Sequence, residues 1–166
     1  TFLSGNVVRK DVLEGSIDPA RFDGTNLPQL SWIIPAMFNG KKNVFVEDYT
    51  VAFKTANTGG YKLCQVFGAN LDRIFTAFTA QGFPRRYFNI ITHRLLNSFL
   101  PVMLLTLRRN DPGFTFSEEE HFTVLYPAYR RYPGFWMFVV PMILFPLPLA
   151  TFYHKITSKF LKLVKQ

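Results

Sequence analysis

Apolar and polar positions alternate with several rhythms along this chain, and the longest uninterrupted apolar run lies near its end. From Tyr132 to His154 the sequence reads YPGFWMFVVPMILFPLPLATFYH, with Arg130-Arg131 before it and Lys155 after it. No formal charge interrupts it. A helix of that length covers roughly 34 Å, enough for a hydrocarbon core of roughly 30 Å. Tyr132, Trp136, Phe152 and Tyr153 sit towards its ends, where amphipathic rings favour the membrane–water boundary. The pattern predicts one C-terminal transmembrane helix over 132–154. Pro133 suits a first helical turn, whereas Pro141, Pro146 and Pro148 each delete a backbone hydrogen bond. The span is therefore expected to be kinked and packed against protein, because lipid offers the freed carbonyls no donor.

Two helical stripes precede it. Phe67, Leu71, Ile74, Phe75 and Phe78 recur at spacings of three and four and stop at Gly82 and Pro84. Phe88, Ile91, Leu95, Phe99 and Val102 follow the same spacing between Arg85 and Arg109. The charge-free part of that second segment, Leu95–Leu107, makes only roughly 20 Å of helix. Extending it back to Tyr87 would bury His93 and Arg94, and an arginine near a bilayer centre costs about 2.5–3.5 kcal/mol on insertion scales. An interfacial or subunit-buried helix is expected there, with a second span as the alternative. Ser117-Glu118-Glu119-Glu120 reads as a capping box, with Ser117 as cap, opening a short helix to about Tyr126.

The N-terminal third lacks such periods. Gly5, Gly15, Pro19, Gly24 and Pro28 break short apolar runs, which predicts a loop-rich arm. Trp32-Ile33-Ile34, Asn39-Gly40 and Asn43-Val44-Phe45-Val46 together predict a small β-hairpin within Ser31–Thr55. After the span, Lys155, Lys159, Lys162 and Lys165 line one arc of a helical tail, opposite Ile156, Phe160, Leu163 and Val164. The expected fold is a mainly α membrane protein. It comprises an extended arm with a hairpin over 1–60, amphipathic interfacial helices over 61–131, the Pro-kinked span over 132–154 and a basic amphipathic tail over 155–166.

Composition narrows the function classes. Nineteen phenylalanines among 166 residues supply apolar area without a polar handle, which suits lipid contact or burial between subunits. Eleven acids against nineteen Lys and Arg give a net charge of +8. Such a balance suits nucleic acid, anionic lipid or an acidic neighbouring subunit, and the long apolar run favours the last two. No nucleic-acid partner is expected. Cys64 is the single cysteine, so an internal disulfide framework and any CxxC motif are excluded.

Chemistry-bearing patterns are few. Gly59-Gly60-Tyr61-Lys62 lacks the spacing of a phosphate loop and reads as a turn. Glu118-x-x-His121 matches half of a di-iron helix motif, but the second half and the further glutamates are missing. Cys64, within Leu-Cys-Gln-Val, reads as a buried structural thiol. No catalytic residue, cofactor or metal site is expected. The notable polar pattern is three arginine pairs, Arg85-Arg86, Arg108-Arg109 and Arg130-Arg131, each bordering an apolar segment. Paired guanidiniums bind phosphates bidentately and stay charged when partly buried. If all three reached one membrane face, they would form with Lys155 and Lys159 a site for anionic headgroups such as cardiolipin.

In build alone, the sequence resembles accessory subunits of mitochondrial inner-membrane oxidative-phosphorylation complexes, which are small, basic and Phe-rich, with one span and irregular arms. The resemblance implies a non-catalytic subunit of a respiratory-chain complex or the F-type ATP synthase, acting in assembly, stability and lipid packing beside other subunits. A subunit of a mitochondrial translocase or membrane-shaping complex, or a mitochondrial ribosomal protein, is the alternative.

Overall fold

The computed structural model describes residues 8–13, 17–40, 42, 62–109 and 119–163. The chain divides into two compact units, Thr1–Asn57 and Thr58–Gln166.

The first unit is built from short turns and one helix. Asp18 opens the 3-10 turn Pro19–Phe22: its carboxylate accepts from the Ala20 amide at 3.0 Å, and Pro19 occupies the first turn, where a missing N–H is harmless. Gly24 and Asn26 take left-handed backbone angles, φ 74° and 60°, between this turn and helix α1, Leu30–Asn39. Ile17, Phe22, Ile33 and Ile34 are buried in this unit, and the Asn39 side chain donates to the Val12 carbonyl at 3.1 Å.

Helix α1 replaces the first arm of the expected hairpin. Among the described residues there is no strand; the proposed partner arm, 43–53, lies outside them. Trp32-Ile33-Ile34 is too short to fix a period. Taken with Leu30, Met37 and Phe38, the two isoleucines fall on helical spacing, and Gly40 ends a helix instead of turning a hairpin.

The second unit holds helices α2 (Leu71–Ala80), α3 (Arg85–Arg94), α4 (Leu100–Arg109), α5 (His121–Tyr129), α6 (Val140–Leu144) and α7 (Leu147–Leu163). Three π segments join the set: Gln65–Asn70 leads into α2, Leu95–Phe99 links α3 to α4, and Phe135–Val139 leads into α6. The stripe expected from Phe67 to Phe78 is in place on α2, with Leu71, Ile74, Phe75 and Phe78 buried. Its end is a Schellman motif. Gly82 has φ 95°, the Phe83 amide reaches the Phe78 carbonyl at 3.1 Å, and the Gly82 amide reaches Thr79 at 3.0 Å. The accompanying apolar contact joins the Phe78 and Phe83 rings, 5.2 Å apart.

Helix α5 crosses the first π segment, and Gly68 allows the approach. A Cβ there would lie 2.5 Å from a methyl of the fully buried Leu125. The buried Tyr129 hydroxyl donates to the Phe67 carbonyl at 2.7 Å. The capping box is not formed as expected. Helix α5 starts at His121 with Glu120 as its N-cap residue and runs through Pro127 to Tyr129, while Ser117 and Glu118 lie outside the described residues. The Glu119 carboxylate instead accepts from the Cys64 and Gln65 amides at 2.5 and 2.9 Å, capping a helix more than fifty residues away.

The membrane-length helix is not the one the apolar run predicts. Residues 132–154 break at Phe145–Pro146, between the helical stretch 133–144 and α7. Pro146 cannot donate to Met142, and it holds Phe145 extended at φ −75°, ψ 150°. Among the described residues, the helix long and apolar enough to cross a bilayer is Arg85–Arg109, 25 residues or roughly 37 Å. Its buried positions, Phe88, Thr92, Leu95, Leu96, Leu100, Pro101, Leu104 and Leu105, form one stripe at spacings of three and four. The stripe read from the sequence meets this face at Phe88 and Leu95, with Phe99 half-buried, while Ile91 and Val102 are exposed.

Candidate functional site

Prolines set the local problem in the second unit. In a helix, a proline ring collides with the carbonyl four residues earlier and removes that carbonyl's donor. For Pro101 and Pro141 those carbonyls belong to Asn97 and Met137, both inside π segments that end two residues before the proline. The wider π turn gives the ring room. The two π segments pack against each other, and Gly134 keeps them close, since a Cβ there would lie 2.6 Å from Asn97 Oδ1.

Side chains supply the missing donors. The Tyr153 hydroxyl donates to Met137 O at 3.0 Å. At the Pro146 break, the Arg108 guanidinium donates to Met142 O at 2.5 Å and to Phe145 O at 2.7 Å. One charged fork thus caps the helical end whose own donors the proline removed, and it places positive charge where the helix dipole is negative. Freed carbonyls were expected to find donors on neighbouring protein; here α4 and α7 of the same chain provide them.

The eight basic residues named as anionic-lipid candidates fall into two groups along the chain's helices. Arg85 and Arg86 begin the membrane-length helix, while Arg108 and Arg109 end it. At the first end, Arg85 and Arg131 border a groove of about 250 Å³ with Asp72, Thr76, Asn89 and Tyr132. Arg131 reaches Asp72 at 3.3 Å and lies over the Tyr132 ring; Arg130 lies over Tyr126, and Arg86 over Tyr87. Burial raises the Asp72 carboxyl above its ordinary value and outweighs the nearby Arg131 and Arg85 charges. At the second end, Arg108 is committed to the carbonyl pair, and Arg109 donates to Thr151 at 3.1 Å. Lys155 follows one turn after Thr151, Lys159 one turn later, and both are exposed. Burial, with the Arg109 charge, lowers the His154 imidazole.

No protein family, curated protein or solved structure matches this chain.

Sequence reading missed one further cluster. Cys64, just before the π segment that leads into α2, meets Glu119 and His121 at the start of α5, their donor atoms all within 4.8 Å of one another. The half-motif noticed in the sequence began at Glu118. Glu119 is the residue that faces Cys64, across a separation no local spacing rule covers.

Proposed function

We propose that this chain is a non-catalytic, membrane-integrated accessory subunit of a larger assembly, anchored by Arg85–Arg109 in place of the C-terminal apolar run. One observation carries this reading. The helix is long enough to cross a bilayer, has an arginine pair at each end, and only 39% of its most apolar window is buried by its own chain. Tyr87, Ile90, Ile91 and Val102 leave it exposed, and Trp136, Met137, Leu144, Leu149, Phe152, Ile156 and Phe160 extend the exposed apolar surface onto the neighbouring helices. Exposed apolar side chains in that number suit contact with lipid or partner subunits. His93 and Arg94 are exposed as well; Arg94 alone opposes insertion by about 2.5–3.5 kcal/mol, which its long side chain lowers by snorkelling.

In this reading the assembly is an oxidative-phosphorylation complex of the mitochondrial inner membrane, where the subunit serves assembly, stability and lipid packing; the basic, Phe-rich composition is what supports it. With the pairs at opposite helix ends, headgroup binding becomes two sites. Arg85 and Arg131, beside Arg86 and Arg130, would meet cardiolipin in one leaflet; Arg109, Lys155 and Lys159 would meet anionic lipid in the other. The test is extraction followed by mass spectrometry of the detergent-solubilised complex. The subunit is expected to resist high salt and alkaline carbonate, to dissolve in mild detergent and to co-migrate with respiratory-chain or ATP-synthase subunits. Release by salt, or co-migration with ribosomal proteins, refutes the reading.

A further inference from the structure

We propose that Cys64, Glu119 and His121 bind a zinc ion or a similar late first-row divalent metal. The three donor atoms lie within 4.8 Å of one another, although Cys64 is distant in sequence from the other two. Cys64 is fully buried. The His121 Nε2 atom is buried without a hydrogen-bond partner, an uncommon state for an imidazole nitrogen and one that a metal ion resolves. The carboxylate is already aimed, because its two oxygens accept from the Cys64 and Gln65 amides, and each keeps a further lone pair. Such amide bonds orient a ligating carboxylate in the way outer-shell contacts orient metal ligands generally.

The donor set selects the metal class. One thiolate, one imidazole and one carboxylate suit zinc, whereas magnesium and calcium prefer all-oxygen shells. Ligand atoms around tetrahedral zinc stand roughly 3.5 Å apart, given bond lengths of about 2.0–2.3 Å. The cluster therefore closes by about 1 Å of side-chain rotation. A doubly charged cation with one thiolate and one carboxylate is neutral as a group, which permits it to sit beside buried Leu63 and Val66. Three protein ligands leave a fourth position for water or a partner's donor.

Binding exchanges a proton for a bond. The Cys64 thiol, raised by burial and by the adjacent Glu119, is protonated in the metal-free chain. On coordination the S–H bond breaks, the sulfur lone pair binds the metal, and the proton leaves to solvent, so affinity falls as pH falls. The site joins the π segment that leads into α2 to the start of α5, so a bound ion ties two distant segments of the second unit together. This inference is independent of the membrane assignment.

The test is a cobalt titration of the detergent-solubilised full chain, with helical circular dichroism recorded on the same samples. Cobalt(II) alone is the probe. The expected result is a thiolate-to-cobalt charge-transfer band that saturates at one equivalent and is abolished by added zinc. The band is lost in Cys64→Ser, and the affinity is weakened in His121→Ala, with both variants retaining wild-type helicity. Two outcomes overturn the proposal: a folded wild-type chain that gives no such band, or a band that persists unchanged in both variants. Melting provides a second readout, since zinc should raise the transition of the wild type but not of Cys64→Ser.

Discussion

The fork of Arg108 on the Pro146 break can be tested quantitatively. Replacing Arg108 by Ala removes two charge-assisted hydrogen bonds, at 2.5 and 2.7 Å, and leaves Met142 O and Phe145 O without those donors. Bonds to charged groups contribute about 1.5–3 kcal/mol each in soluble proteins, while bonds inside membrane proteins average nearer 0.6 kcal/mol because the unfolded chain also finds partners. Between those limits, Arg108→Ala should destabilise the second unit by about 2–4 kcal/mol. The neighbouring Arg109→Ala, which loses one exposed bond to Thr151, should cost about 0–1 kcal/mol. The decisive arm is Pro146→Ala. An alanine there regains the N–H for Met142 and lets Leu149 donate to Phe145, so both carbonyls are served within one helix. In that background Arg108→Ala should cost at least about 1 kcal/mol less. Reversible unfolding in mixed micelles, followed by far-ultraviolet circular dichroism, measures all four values. If Arg108→Ala matches Arg109→Ala, or if its cost is unchanged by Pro146→Ala, the capping explanation is wrong.

Three further perturbations test other contacts. Gly68→Val should cost about 1–3 kcal/mol in thermal or denaturant melts, because the new methyls meet the fully buried Leu125. Tyr129→Phe should cost about 1–2 kcal/mol, since it withdraws the hydroxyl that donates to the Phe67 carbonyl. Asp72→Asn tests a sign: a carboxyl raised in the folded state gives stability that is complete below its unfolded value near 3.8 and is lost as pH rises through the folded value. The wild type should therefore lose stability relative to Asp72→Asn as pH climbs from 3.8 towards neutrality, and a relative gain over that range refutes the assignment.

Legibility in the sequence followed the length of the pattern. The stripe from Phe67 to Phe78 spans three turns and ends at Gly82, and it was readable because one period and one stop signal agree. Trp32-Ile33-Ile34 was not, since three apolar residues fit a strand or a helix equally. Residues 132–154 met the length and apolarity tests for a span, yet hydropathy sums side chains and does not register that Pro146 removes a donor and extends Phe145. Conversely, Arg94 argued against the earlier helix because charge counts carry no information about which face is exposed. The Arg108 cap and the Cys64–Glu119–His121 cluster depend on pairings 34 to 57 residues apart, for which a single sequence offers no local signal.

The π segment at Leu95–Phe99 also makes the Arg108 cap a register lock. A π turn absorbs one residue that an α-helix would count, so relaxing it at constant sequence would rotate α4 by about 100° and slide it by about 1.5 Å. Arg108 would then swing off both carbonyls, with every residue still chemically intact. Two phases of one helix are thereby told apart by a single side chain, and any change that frees Pro101 from its wide turn should be felt first, across the fold, at Pro146.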